Sequence, residues 1–229
     1  MPRAARASVG GVCYHVINRG NGRRAVFRKD ADYEAFLKAL AHACIEIPMP
    51  VLGFCLMPNH FHLAVLPKED GDLSRWMHWV LNTHVRRYHQ HHRSSGHIWQ
   101  GRFKAFPIQQ DEHQLTVLRY VESNPVRAKL VKRGEQWPWS SARYWADDAD
   151  RPSYLTVGPV PRPANWLEWI KQPLTPGELE ALRRCVVRGA PFGAASWVKR
   201  TAERLHLQST LRPRGRPRKS GATTARADS

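Results

Sequence analysis

The chain has 229 residues, a formal net charge of +17 and 42% hydrophobic residues, with 9 Trp among them. That apolar content excludes disorder as the main state, and the length allows one substantial domain with an appendage. The charge favours polyanionic partners, nucleic acid first. A net +5 falls from Leu211 onward, so the rest of the chain still carries +12. The four cysteines are scattered without a CxxC pair, which reads as a reducing compartment without disulfides. No apolar run approaches the roughly 20 residues of a membrane span. The basic start MPRAARASVGG lacks the apolar stretch of a signal peptide. The expected location is therefore the cytoplasm.

In GVCYHVINRG, Val12, Tyr14 and Val16 alternate with Cys13, His15 and Ile17. This is strand periodicity, closed by the turn-rich RGNGRR. From Asp30 to Ile47 the apolar positions Tyr33, Phe36, Leu37, Leu40 and Cys44 follow helical spacing, with Asp30 as cap and Pro48 as stop. VLGFCL and HFHLAVL are strands joined by Met57-Pro58-Asn59. Asp72 to about Gln90 is the clearest helix, with a stripe of Leu73, Trp76, Met77, Val80, His84 and Tyr88. RFKAFPIQ is a further strand, placed at an edge or bulge by Pro107. A helix from Glu112 to about Asn124 follows and stops at Pro125. The order predicts an α+β, ferredoxin-like βαββαβ antiparallel sheet with helices on one face.

Four regions are expected: a domain over 1–145, a Pro-rich linker or wrap over 146–174, a small helical unit over 175–210, and a basic tail over 211–229. TPGE at Thr175–Glu178 is a capping box opening the helical unit, and a second helix carries Trp197, Thr201 and Leu205. In the tail, Arg214, Arg216 and Arg218 form an RGRPR run resembling an AT-hook, suited to a narrow minor groove.

The stretch with most chemistry is MPNHFHLAV. Strand parity puts Phe61, Leu63 and Val65 on a core face and His60, His62 and Ala64 on the other. Two imidazoles about 6.6 Å apart along a strand can converge on one metal ion. On its own the pair reads more readily as ordinary solvent-facing histidines. The second cluster is LRYVESNPVRAKLV, where Tyr120 and Asn124 share a helix flank at i, i+4, with His113 one repeat earlier. A phenol beside a metal-clamped phosphate suits covalent phosphodiester transfer, helped by Arg127, Lys129 and Lys104. Two nitrogens and an amide oxygen suit Mn²⁺ better than Mg²⁺. Tyr88 is a rival nucleophile, but it lies on a core stripe. Trp99 and Phe103, beside Arg102, fit either base stacking or the core. His89 to Arg93, with Arg86 and Arg87, reads as a solvated helix end that touches phosphates.

YHVINRGN, MPNHFHLAV, WQGRFKAFPIQ, and RYVESNPVRAKLV followed by WPWSS resemble, in this order, the REP-associated tyrosine transposases of the single-tyrosine HUH superfamily. The resemblance covers Gly11 to Tyr144. It implies a ferredoxin-like nuclease acting on single-stranded DNA with palindromic hairpins. It further implies Tyr120 as nucleophile forming a 5′-phosphotyrosine, and His60 and His62 as ligands of a divalent ion (Mg²⁺ or Mn²⁺), with Asn124 in the third-ligand position. Arg19, Arg102, Lys104, Arg127, Arg86 and Arg87, with the tail arginines, are the expected DNA contacts. The protein is expected to be nucleoid-associated, as a monomer or homodimer. A hairpin-binding module without catalysis and a hydrolytic metal nuclease are the alternatives.

Overall fold

The computed structural model describes residues 8–147 and 149–212. Arg214, Arg216 and Arg218 lie outside them. Four strands, β1 (Cys13–Arg19), β2 (Val51–Met57), β3 (His60–Val65) and β4 (Lys104–Ile108), form one sheet in the order β2-β3-β1-β4. Every neighbouring pair is antiparallel. This is the order expected of a βαββαβ chain.

The two crossover helices, α1 (Asp30–Glu46) and α2 (Asp72–His92), cover one face together. There Tyr14, Val16, Phe54, Phe61, Leu63 and Val65 of the strands meet Phe36, Leu40, Trp76 and Met77 of the helices. Burying each such side chain contributes about 1.5–3 kcal/mol. Asp30 is the first helical residue rather than the cap. Asp32 does that work, its Oδ2 accepting the backbone N–H groups of Arg28 and Lys29. Trp99 and Phe103 sink into this core instead of standing free for bases, because the loop after α2 folds back over the sheet end.

Helices on one face describes the βαββαβ unit alone. The next helix, α3 (Glu112–Glu122), packs across the opposite face against β2, β3 and β4, where Cys55, Met57, Ala64 and Phe106 meet Val117, Leu118 and Val121. Gly53 permits the approach, since a Cβ there would lie 2.8 Å from Leu118 Cδ2. The helix breaks at Ser123, and a short turn of helix, α4 (Asn124–Arg127), begins at the residue before Pro125.

Both sheet edges are covered, which removes open pairing groups. Along β2, the Leu56 N–H donates to Trp139 O, and Val51 exchanges bonds with Tyr154 and Thr156. Along β4, Phe192 donates to Pro107 O and accepts from the Gln109 N–H. The Pro-rich segment after Trp145 is thus a wrap. It leads through α5 (Trp166–Lys171) to α6 (Pro176–Arg188) and α7 (Ala195–Arg204). The Thr175 hydroxyl accepts from the Glu178 N–H, and the Glu178 carboxylate from the Thr175 N–H, so the capping box forms as expected. No helix among the described residues is long and apolar enough to cross a membrane.

Candidate functional site

The tight turn at Pro58-Asn59 sets Met57 opposite His60, and strand parity then sends His60 and His62 to the α3 face. His60 stands at the open end of the strand, half-buried, while His62 is 2% exposed beneath α3. Their ring centroids lie 5.0 Å apart. Tyr120, on the sheet-facing side of α3, meets His62 edge-on with centroids 5.5 Å apart and planes at 89°. The residues of MPNHFHLAV and RYVESNPVR are therefore brought together across the sheet–helix interface.

Each histidine has one ring nitrogen engaged. The Asn59 amide Nδ2 donates to Arg23 O, which turns its Oδ1 to His60 Nδ1 at 2.6 Å. Asn59 Oδ1 can only accept, so His60 carries its proton on Nδ1 and leaves the Nε2 lone pair free. Nδ1 of His62 lies 2.9 Å from Nε2 of His15, on β1. Among the described residues neither Nε2 makes a hydrogen bond. Burial, then the charges of Arg19 and Arg127, hold His60 at a pKa of about 4. Burial, then the neighbouring His60 and His15, keep His62 well below the usual histidine range. Burial thus keeps both rings neutral at neutral pH, the protonation state a metal requires of imidazole. This donor set fits a divalent ion such as Mn²⁺.

Arg127 closes the other side. Its guanidinium carbon sits 4.1 Å from the Tyr120 ring centre, and it donates to Tyr120 O and to Asn124 Oδ1 at 2.7 Å. Asn124 Nδ2 donates to the Tyr120 and Val121 carbonyls. The Asn124 amide thus caps the end of α3, and its oxygen faces a cation. Arg19 ends β1 opposite His60. It lines a cavity of about 300 Å³ with Asn18, Gln100, Arg102, Lys104 and Val187, so these three cations gather at one mouth of the site.

Other expected residues lie elsewhere. Arg86 and Arg87 are exposed on α2, across the sheet from Tyr120. Lys129 is exposed beyond α4. His113 turns to Asp111 Oδ1 at 2.8 Å and to the Phe192 ring. Tyr88 is buried against His92. Among the described residues, two groups of three His or acidic side chains come together, Asp32–His91–His92 and Asp111–Glu112–His113. Neither includes the His60–His62 pair, and Asp32 and Asp111 are occupied in capping α1 and α3. His15 is the site neighbour that sequence reasoning passed over. Strand parity put it opposite Val16, but only the register beside β3 brings it to His62.

This chain belongs to the IS200-like transposase family, whose model matches residues 8–124. Among its relatives is the REP-associated tyrosine transposase of Escherichia coli, 25% identical over 134 residues, covering 58% of this chain and 76% of that protein. A Haemophilus influenzae protein provisionally named as a REP-associated tyrosine transposase is 29% identical over 117 residues, covering 46% of this chain and 66% of that protein's length. A solved REP-associated tyrosine transposase bound to a REP hairpin has the same fold, with a TM-score of 0.53 and 24% identity over 65% of this chain and 87% of that one.

Proposed function

We propose that this protein cleaves and rejoins single-stranded DNA beside palindromic hairpins of the REP type, through a covalent 5′-phosphotyrosine at Tyr120. The observation that carries this reading is the edge-on meeting of Tyr120 with His62, the inner member of the histidine pair, under a stacked Arg127. The hairpin substrate is supported by the relative whose structure holds a REP hairpin.

His60 and His62 would hold the divalent ion through their free Nε2 atoms, and the ion when bound supplies charge withdrawal and orientation at the scissile phosphate. Tyr120 supplies the nucleophile. Its oxygen bonds to phosphorus as the bond to the 3′-oxygen breaks. The phenol proton goes to solvent, and the departing 3′-oxygen takes one up. Arg127 sets a fixed positive charge beside both the phenol and the developing phosphorane. The phosphotyrosine keeps the bond energy, and a 3′-hydroxyl attacking it reverses the step. Asn124 holds the third-ligand position by family resemblance; for its oxygen to serve, Arg127 must turn towards the phosphate. Arg19, Arg102 and Lys104 receive the strand. The protein acts in the cytoplasm on the nucleoid, as a monomer or homodimer.

The test is incubation with hairpin-bearing single-stranded DNA and Mn²⁺ or Mg²⁺, followed by denaturing electrophoresis. Wild type forms a denaturant-stable adduct, Tyr120→Phe forms none, and His60→Ala loses it. Cleavage by Tyr120→Phe without an adduct would point to hydrolysis by water. Binding without cleavage in either metal would leave a hairpin-binding module.

A further inference from the structure

His15 is wholly buried on β1, with 0% exposure, and the sequence around it is ordinary strand. Its ring is enclosed by Phe106, 4.8 Å away between centroids, and by Tyr120 and His62. Its single polar contact among the described residues is the 2.9 Å approach of its Nε2 to His62 Nδ1, while its own Nδ1 has no partner. An apolar residue would fill this place without an orphaned nitrogen, so the imidazole must serve something beyond packing.

We propose that His15 is a positioning residue that holds His62 in the Nδ1–H tautomer and thereby aims its Nε2 lone pair at the metal position. The inference rests on the reading of His60 and His62 as metal ligands. One hydrogen is shared between two ring nitrogens, and only one allocation leaves His62 able to ligate. If His15 Nε2 carried the hydrogen, neutral His62 would bear its proton on Nε2 and have no lone pair there. If His62 Nδ1 carries it, Nε2 is free, and His15 must keep its own proton on Nδ1, the atom without a partner. Asn59 does the same for His60 with an amide oxygen. The two ligands thus have parallel supports, one from the β2–β3 turn and one from the neighbouring strand. Fixing tautomer and ring orientation from behind is the usual duty of groups hydrogen-bonded to metal-ligating histidines, and losing such a partner weakens metal binding by about 10–100-fold.

Two measurements test it on the full chain. Long-range proton–nitrogen-15 correlation of the metal-free protein should show both His15 and His62 with the proton on Nδ1. A proton on Nε2 of His15 overturns the proposal while leaving strand transfer standing. In Mn²⁺ titrations followed by electron paramagnetic resonance, His15→Leu should raise the dissociation constant by about 10–100-fold. His15→Gln, whose amide oxygen accepts the same hydrogen, should restore most of the affinity. Equal Mn²⁺ affinity in wild type and a folded His15→Leu also overturns it. If the tautomers and the affinity loss are found but wild type forms no DNA adduct, strand transfer fails and the role of His15 stands.

Discussion

The carboxylate of Glu122 accepts the indole N–H of Trp166 at 2.6 Å, joining the end of α3 to α5 across forty-four positions. The other oxygen of Glu122 takes the Ser141 hydroxyl, the Trp145 indole and Arg162 Nη2 at 2.7, 2.8 and 3.0 Å. This carboxylate is fully buried and sits two residues beyond Tyr120. The wrap after Trp145 thus pins the helix that carries the proposed nucleophile.

Removing one partner of a buried ion pair strands the other charge. Glu122→Ala should cost about 3–5 kcal/mol of stability, because the Arg162 guanidinium stays buried against β2. Glu122→Gln, which keeps the shape and one acceptor, should cost less. Urea unfolding followed by tryptophan fluorescence measures both, and an alanine variant as stable as wild type would refute the pinning role.

Acid should weaken the fold before carboxylates titrate. His15, His60 and His84 are held at about 3, 4 and 4 by burial, below the 6.5 of an unfolded histidine. The unfolded chain then binds more protons, so stability is fully present above pH 6.5 and falls towards pH 4. The slope is about 1.4 kcal/mol per pH unit for each such histidine. His84, packed among Phe27, Phe36 and Trp99, lies outside the site, and His84→Phe should make the decline shallower by one proton. Denaturant midpoints between pH 7 and 4.5 give the answer; no change in slope would show that His84 titrates alike in the folded and unfolded states.

Arg127 serves Tyr120 and Asn124 together. Arg127→Ala should slow adduct formation by about 10²–10³-fold, the usual effect of losing one charge-stabilising donor. Lysine should recover part of this, since it keeps the charge but not the fork. Mn²⁺ affinity should not fall in either variant, because Arg127 competes for the Asn124 oxygen. Single-turnover rates at saturating DNA and metal read the first effect, and an unaltered rate removes Arg127 from the chemistry.

Arg102 and Lys104 stand at the mouth beside Arg19, whereas Arg86 and Arg87 project from the far layer. Arg102→Ala and Lys104→Ala should each lower the salt slope of single-strand binding by about 0.7. Arg86→Ala should leave the slope unchanged. The reverse pattern, from affinities between 50 and 200 mM salt, would place the DNA on the α1–α2 layer.

Much of this was legible locally. The alternation in HFHLAV assigns Phe61 and Leu63 to one core, and the unbroken stripe of α2 finds its own face. The TPGE box opens α6 where expected, and Asn124, about one turn beyond Tyr120, donates to the Tyr120 carbonyl although it opens α4. Less legible were Trp99 and Phe103, whose composition suits a base-stacking platform and a core equally. The run after Trp145 read as linker or wrap alike, since a Pro-rich run binds an edge only where an edge is offered.

Periodic, local pattern was enough for the strand and helix order and for which residues share a face, such as His60 with His62. Which faces meet came from packing across the chain, as where Tyr120 meets His62. His15 is an ordinary strand residue until register sets β1 beside β3, and Glu122 an ordinary helix carboxylate until the chain returns around it. Parity and helical repeat are properties of neighbouring residues, whereas register and wrapping come from contacts between residues tens of positions apart.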